Sequence, residues 1–231
     1  MVSKLFCTPR KEDPVTYPNA QAGLKKLFSA QILGIIGTIL IIITGAIGVF
    51  TAASMEGGVA DETIMPFALG TLFAAIPSLI IPIVSLILSL VGLKRASEDN
   101  GNFKIAFYAS AFALVVSIVS GFFPEFQFRG VNVLDRVASI ADIVVFAYVI
   151  EGIKEIGGKI GRSDLVSSCN TIEALYIVGI IGANVLEIFA VSPLATEFVG
   201  YAGSIALLLI LVAKILYIVV IGKAQKALQQ A

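Results

Sequence analysis

Residues 133–150 read VLDRVASIADIVVFAYVI, and residues 172–191 read IEALYIVGIIGANVLEIFAV. Each is about as long as the roughly 20 residues that cross a hydrocarbon core of about 30 Å. Each also carries polar groups that lipid does not tolerate alone: Asp135, Arg136 and Asp142 in the first, Glu173, Asn184 and Glu187 in the second. Apolar runs of this length argue for membrane-spanning helices, and acids inside such helices mark the place where a function is first sought.

The rest of the composition points the same way. Of 231 residues, 58% are hydrophobic and only 14% charged, with a mean hydropathy of +0.97; soluble domains carry about 25% charge. Sixteen basic and sixteen acidic residues cancel, so no charge excess suits nucleic acid. The chain has no His, which removes the commonest metal ligand and proton shuttle, and no metal site or cofactor is expected. Cys7 and Cys169 lie far apart and are read as structural thiols on the reducing side of the membrane.

Working outward, four more uncharged or nearly uncharged runs appear: 27–54, 65–93, 105–123 and 198–221. The fold expected is therefore all-α, a bundle of six transmembrane helices. Residues 1–26 form a cytoplasmic lead-in, 27–222 the single six-helix domain, and 223–231 a cytoplasmic tail. Short loops rich in Lys and Arg stay in the cytoplasm. Thirteen such residues fall on one side: five before the first span, three in 94–104, three in 154–168 and two in the tail. Only Arg129 and Arg136 fall on the other, with Lys214 inside the last span. Both termini are thus expected in the cytoplasm of a cell-membrane protein.

Helices in lipid pack through small residues. Gly70, Ser78 and Ser85 lie on a small-residue stripe of the second span, and Gly34, Gly45 and Gly48 on the first. Pro77 and Pro82 bend the second span, and the Ser78 and Ser85 hydroxyls are expected to satisfy carbonyls freed there. Gly23-Leu24-Lys25, Gly92-Leu93-Lys94 and Gly152-Ile153-Lys154 recur at membrane boundaries, and Gly222-Lys223 closes the last span. Either three hairpins repeat, or Gly suits helix ends and Lys the interface. The second reading is preferred, since the helices between show no further identity.

The polar stripe supplies the candidate site. Asp135, Ser139 and Asp142 share a helical face. Counting inward from Asn132 and Val191 at about 1.5 Å per residue sets Arg136 level with Glu187, an expected structural ion pair, and Ser139 level with Asn184. Asp142 lies about 15 Å in, where an isolated charge costs on the order of 2.5–3.5 kcal/mol. Lys214 is the one cation deep inside a span, Arg136 lying near the outer end of its own, and the same count from Phe198 puts Lys214 one or two turns deeper than Asp142. Asp142, Asn184, Ser139 and Lys214 are the candidate substrate or proton site.

No Gly-x-Ser-x-Gly elbow, phosphate loop or metal cluster is present, so no enzyme activity is expected. Two classes remain: a small-solute transporter or its solute-binding membrane subunit, and a scaffold that binds other membrane chains through small-residue faces. Six short-looped helices with both termini inside, and small residues along the first, resemble in layout the substrate-binding subunits of energy-coupling-factor vitamin transporters. That resemblance implies a solute site in the bundle and docking through the first helix to a partner membrane subunit; besides the lipid bilayer, such a subunit or a second copy of the chain is the partner expected.

The orientation is open to direct measurement. In a variant lacking Cys7 and Cys169, a cysteine at position 58 should react with a membrane-impermeant reagent in intact cells and one at position 158 should not. The opposite pattern would mean that the charge count has the chain inverted.

Overall fold

A computed structural model describes residues 16–56, 61–123, 127–128, 131–189 and 196–230, with the side chains of 50–56, 61–69, 71–72, 74, 127–128, 131–132, 135, 181–189 and 196–207 outside the described residues. Six helices follow in chain order: α1 Pro18–Glu56, α2 Asp61–Ala96, α3 Gly101–Phe122, α4 Val133–Lys159, α5 Ser163–Phe189 and α6 Thr196–Gln230. The link between α3 and α4 holds a small antiparallel ladder that an all-α reading did not include, with Gln127 opposite Asn132. Four helices, α1, α2, α3 and α6, contain stretches long and apolar enough to cross a membrane. Their large side chains, among them Ile42, Phe73, Leu79 and Phe112, point outward, as a lipid-facing surface requires. The protein is a helical membrane protein.

The helices overrun the apolar runs that announce them. α1 starts at Pro18 rather than near Leu27, and α6 continues to Gln230 through what reads as a tail. The connectors shrink to 97–100 and 160–162. Ala, Lys, Glu and Gln at these ends are strong helix formers, so helical structure outlasts the apolar pattern. α4 stops at Gly161, whose φ of +72° a side chain would resist. Arg162 N–H reaches Gly157 O at 2.8 Å and Gly161 N–H reaches Gly158 O at 3.2 Å, the paired bonds of a Schellman cap. The N-terminal 15 residues, Cys7 included, lie outside the described residues.

Each helix packs on the next, with the broadest contacts in the hairpins α1–α2, α3–α4 and α5–α6, and α6 returns against α1 to close a ring. The described core fills this ring toward its basic end, with Leu24, Leu27, Leu93, Phe103, Ile153 and Ile221 fully enclosed. None of the four glycines of the Gly-Leu/Ile-Lys recurrence ends a helix, contrary to the preferred reading. Each sits inside one, at a crossing. A Cβ on Gly92 would stand 2.8 Å from Gly23 O and 3.0 Å from Leu27 N; one on Gly152 would meet the Phe103 ring at 3.0 Å; one on Gly222 would meet the Phe28 ring at 3.1 Å. The neighbouring Leu or Ile is core, and the Lys emerges at the rim.

The α1–α2 seam continues through Gly34, where a Cβ would lie 3.2 Å from Ser85 Oγ, and Gly37, where it would lie 3.1 Å from the Pro82 ring. The Ser85 hydroxyl does not serve a carbonyl freed by proline. It donates across the seam to Ala30 O at 2.7 Å, an interhelical bond of the kind worth about 0.6 kcal/mol in a membrane. Ser78 donates to Ala75 O at 2.8 Å, whereas the prolines free the carbonyls of residues 73 and 78. Gly45, Gly48 and Gly70 have nothing within 4 Å among the described residues; the same antiparallel register sets Gly45 opposite Ala74, whose side chain is not among them.

Polar clamps tie the basic end. Asp99, in the α2–α3 turn, accepts Ala20 N–H at 2.7 Å and the Asn19 amide at 3.1 Å, placing a carboxylate on the N-terminus of α1 where orphan donors and the helix dipole favour it. Asn100 caps α3 by accepting Asn102 N–H at 2.8 Å. The amides of Asn100 and Asn102 both donate to Glu155 of α4 at 3.0 Å, and Lys159 donates to the same carboxylate at 2.6 Å.

Two outcomes follow from these contacts. Gly92→Ala should destabilise the protein by about 1–3 kcal/mol, the usual range for overpacking, because its methyl meets the α1 backbone at both Gly23 and Leu27; an unchanged melting temperature would rule out the close crossing. Bonds from Lys159 first and Asn100 second hold the Glu155 carboxyl below its ordinary value of 4.5. A lowered folded value means that this stabilisation is present above pH 4.5 and disappears as the pH falls through the lowered value. Glu155→Gln should therefore lower the melting temperature at neutral pH, and the gap from the parent protein should close on acidification.

Candidate functional site

The site is built on an aromatic floor that joins three helices. Phe146 of α4 stacks on Tyr176 of α5, with ring centroids 3.8 Å apart and planes at 26°. It meets Tyr217 of α6 at 4.9 Å and 36°. All three rings are buried, and such pairs contribute about 0.5–1.5 kcal/mol beyond area burial. α6 comes close here because α5 offers Gly179, where a Cβ would stand 2.9 Å from Ile210 Cγ1 and 3.3 Å from Ile210 N.

Asp142 sits one turn before Phe146, on the edge of the buried face formed by Ala138, Ala141, Phe146 and Val149. Lys214 sits three residues before Tyr217, beside the fully enclosed Ala213. Both helices run the same way from the floor, so the ring contact sets the acid and the amine nearly level. The count from Phe198 put Lys214 one or two turns deeper; a boundary fixed by the apolar pattern alone does not supply the register that the rings supply. Both side chains are exposed, and no ion pair within 4 Å joins them among the described residues. The result is an acid and an amine about one turn from the two tyrosine rings, where α4, α5 and α6 meet.

Of the other candidates, Ser139 and Arg136 are both engaged in interactions and lie on α4 successively farther from the floor. The Asn184 and Glu187 side chains are outside the described residues, and with them the expected Ser139–Asn184 and Arg136–Glu187 pairs. Glu173 stands 3.8 Å from Lys154 Nζ at the basic end. Cys169 is buried in the core beside it.

Two groups escaped the sequence reading. The floor did, because tyrosines in a chain without Trp read as interfacial belt; the available signal was one aromatic residue per helix inside the apolar runs. The Asn100–Asn102–Glu155 clamp did, because 94–104 reads as loop; the signal was Asn100 placed as a helix N-cap. A shallow recess of about 380 Å³ lies elsewhere, between the end of α4 and the start of α5, lined by Gly158, Gly161, Ser163, Val166, Ser167 and Asn170. Asp142 is sixteen residues from Gly158, about 24 Å along α4. Searches against protein families, curated proteins and solved structures find no match to the chain.

Proposed function

We propose that the protein is a non-catalytic, six-span protein of the cell membrane, with both termini in the cytoplasm, that binds and moves a small polar solute between α4, α5 and α6. The observation that carries this reading is the Phe146–Tyr176–Tyr217 contact, which brings Asp142, four residues before Phe146, and Lys214, three residues before Tyr217, to a common level. A charged pair on the spans is costly to insert, and a purely structural seam needs none, as α1 and α2 demonstrate with Gly and Ser. A solute with one anionic and one cationic group could exchange partners with the pair; the two phenols would add hydrogen bonds at its rim.

The competing role is a scaffold in which Asp142 and Lys214 only neutralise each other. Asp142→Asn, Lys214→Met and the double variant separate the two. For a solute site, Asp142→Asn should leave the protein folded and abolish solute uptake or the thermal shift given by solute, since the amide keeps shape and removes charge. For a neutralising pair, the single variant should cost about 2.5–3.5 kcal/mol by stranding a cation in lipid, and the double variant should restore stability. Asp142→Asn with stability and uptake both unchanged would end the site reading.

A further inference from the structure

We infer that the α6–α1–α2–α3 side of the basic end is a binding surface for anionic phospholipid headgroups, and that the α4–α5 side is not. The two sides carry similar residue types and use them differently. On the α4–α5 side each cation is matched: Lys154 by Glu151 at 3.1 Å and Glu173 at 3.8 Å, Lys159 by Glu155 at 2.6 Å, and Arg162 by Asp164 at 3.0 Å. On the other side Lys25 and Lys26 of α1, and Lys94 and Arg95 of α2, have no carboxylate within 4 Å among the described residues. The same is true of Lys223 and Lys226 on α6, and of Lys104 at the start of α3.

These seven cations form one surface because the helices that bear them are neighbours. Lys26 Cβ lies 3.3 Å from the position a Gly92 Cβ would take, which sets the α1 pair beside Lys94 and Arg95. The Phe28 ring packs at 3.1 Å from the corresponding point on Gly222, which sets Lys223 beside α1. Asp99 is engaged with the N-terminus of α1, leaving Glu98 as the acid in the α2–α3 turn without an ion pair among the described residues.

Depth selects the partner. The outward apolar surface begins at Ile32 on α1, ends at Val91 on α2, begins at Ile105 on α3 and ends at Val219 on α6. The cations stand just past that edge on all four helices, at the level of lipid phosphates. Clustered Lys and Arg at this level gain about 1 kcal/mol each from an anionic leaflet, and basic grooves between such helices hold anionic headgroups. An acidic soluble protein would meet charges spread around the rim of a bilayer rather than a projecting face.

The purified full-length protein, placed in nanodiscs of phosphatidylcholine alone or phosphatidylcholine with phosphatidylglycerol, tests this by native mass spectrometry of the lipids retained on ejection. Retention should favour phosphatidylglycerol by about fivefold or more, the factor that one engaged cation supplies. The quadruple variant K25Q/K26Q/K94Q/R95Q should lose most of that preference and K159Q/R162Q should keep it. Should the quadruple variant fail to fold, K223Q/K226Q tests the same surface with changes confined to the α6 end. No preference in the parent protein, equal loss in both sets of variants, or retention tracking an added acidic protein instead of lipid would each overturn the inference.

Discussion

Two helices in lipid have little hydrophobic reason to touch, because the surrounding tails are as apolar as their side chains. The contact of α1 with α2 therefore depends on backbone meeting backbone, and the crossing at Gly23 and Gly92 is where this is closest. Dispersion falls off within an ångström of optimal contact, so removing two Cβ atoms there brings whole turns of both helices into range. Ser85, Gly34, Gly37 and Pro82 extend the fit for about four more turns. With that hairpin set, Phe28 is in position to receive Gly222 of α6, and the ring of helices can close.

Polar interactions do a different job at the basic end. Outside the hydrocarbon they add little energy individually, yet they are directional. Asp99 fixes where α1 begins relative to the α2–α3 turn, and Glu155 holds that same turn to the end of α4. α1 and α4 are thereby both indexed to the one four-residue turn that joins α2 to α3. Close packing decides how near the helices lie, and the clamps decide how far each slides along its neighbour. Both are needed before side chains from α4, α5 and α6 can meet at a common depth.

The sequence made some of this legible and hid the rest for identifiable reasons. Apolar length is a one-dimensional property, so helix number and order could be read from it, and the Gly34–Ser85 stripes could be marked as contact faces. Helix ends could not, because Lys154, Glu155 and Lys159 favour helix as much as they favour water. The recurring glycines were misread for a related reason: Gly is common at helix ends and at helix crossings, and only a partner such as Phe103 or Gly23 distinguishes them. At the candidate site, Asp142 and Lys214 stood out as charges in apolar runs. Their common level did not, since it depends on Phe146 meeting Tyr217 across 71 residues of chain.

The hydropathy of α4 explains why that common level matters. Ten of the residues in 133–150 are Val, Leu, Ile or Phe, together worth about −3 to −6 kcal/mol for insertion, while three charges at the helix centre would cost about +7.5 to +10.5. Asp135 and Arg136 lie near the end of the helix, where that cost is small, so the balance turns on Asp142. α3, with nine such residues and no charge in 105–122, inserts without this difficulty and offers α4 a broad partner. That neighbour does not neutralise Asp142, which stays exposed on the surface of α4. The opposite charge on a neighbouring apolar run is Lys214 of α6, which follows α4 and α5 in the chain, so the two charges come to a common level only when α6 packs beside α4. A charge kept under those conditions ties the closure of the ring to the assembly of the polar site.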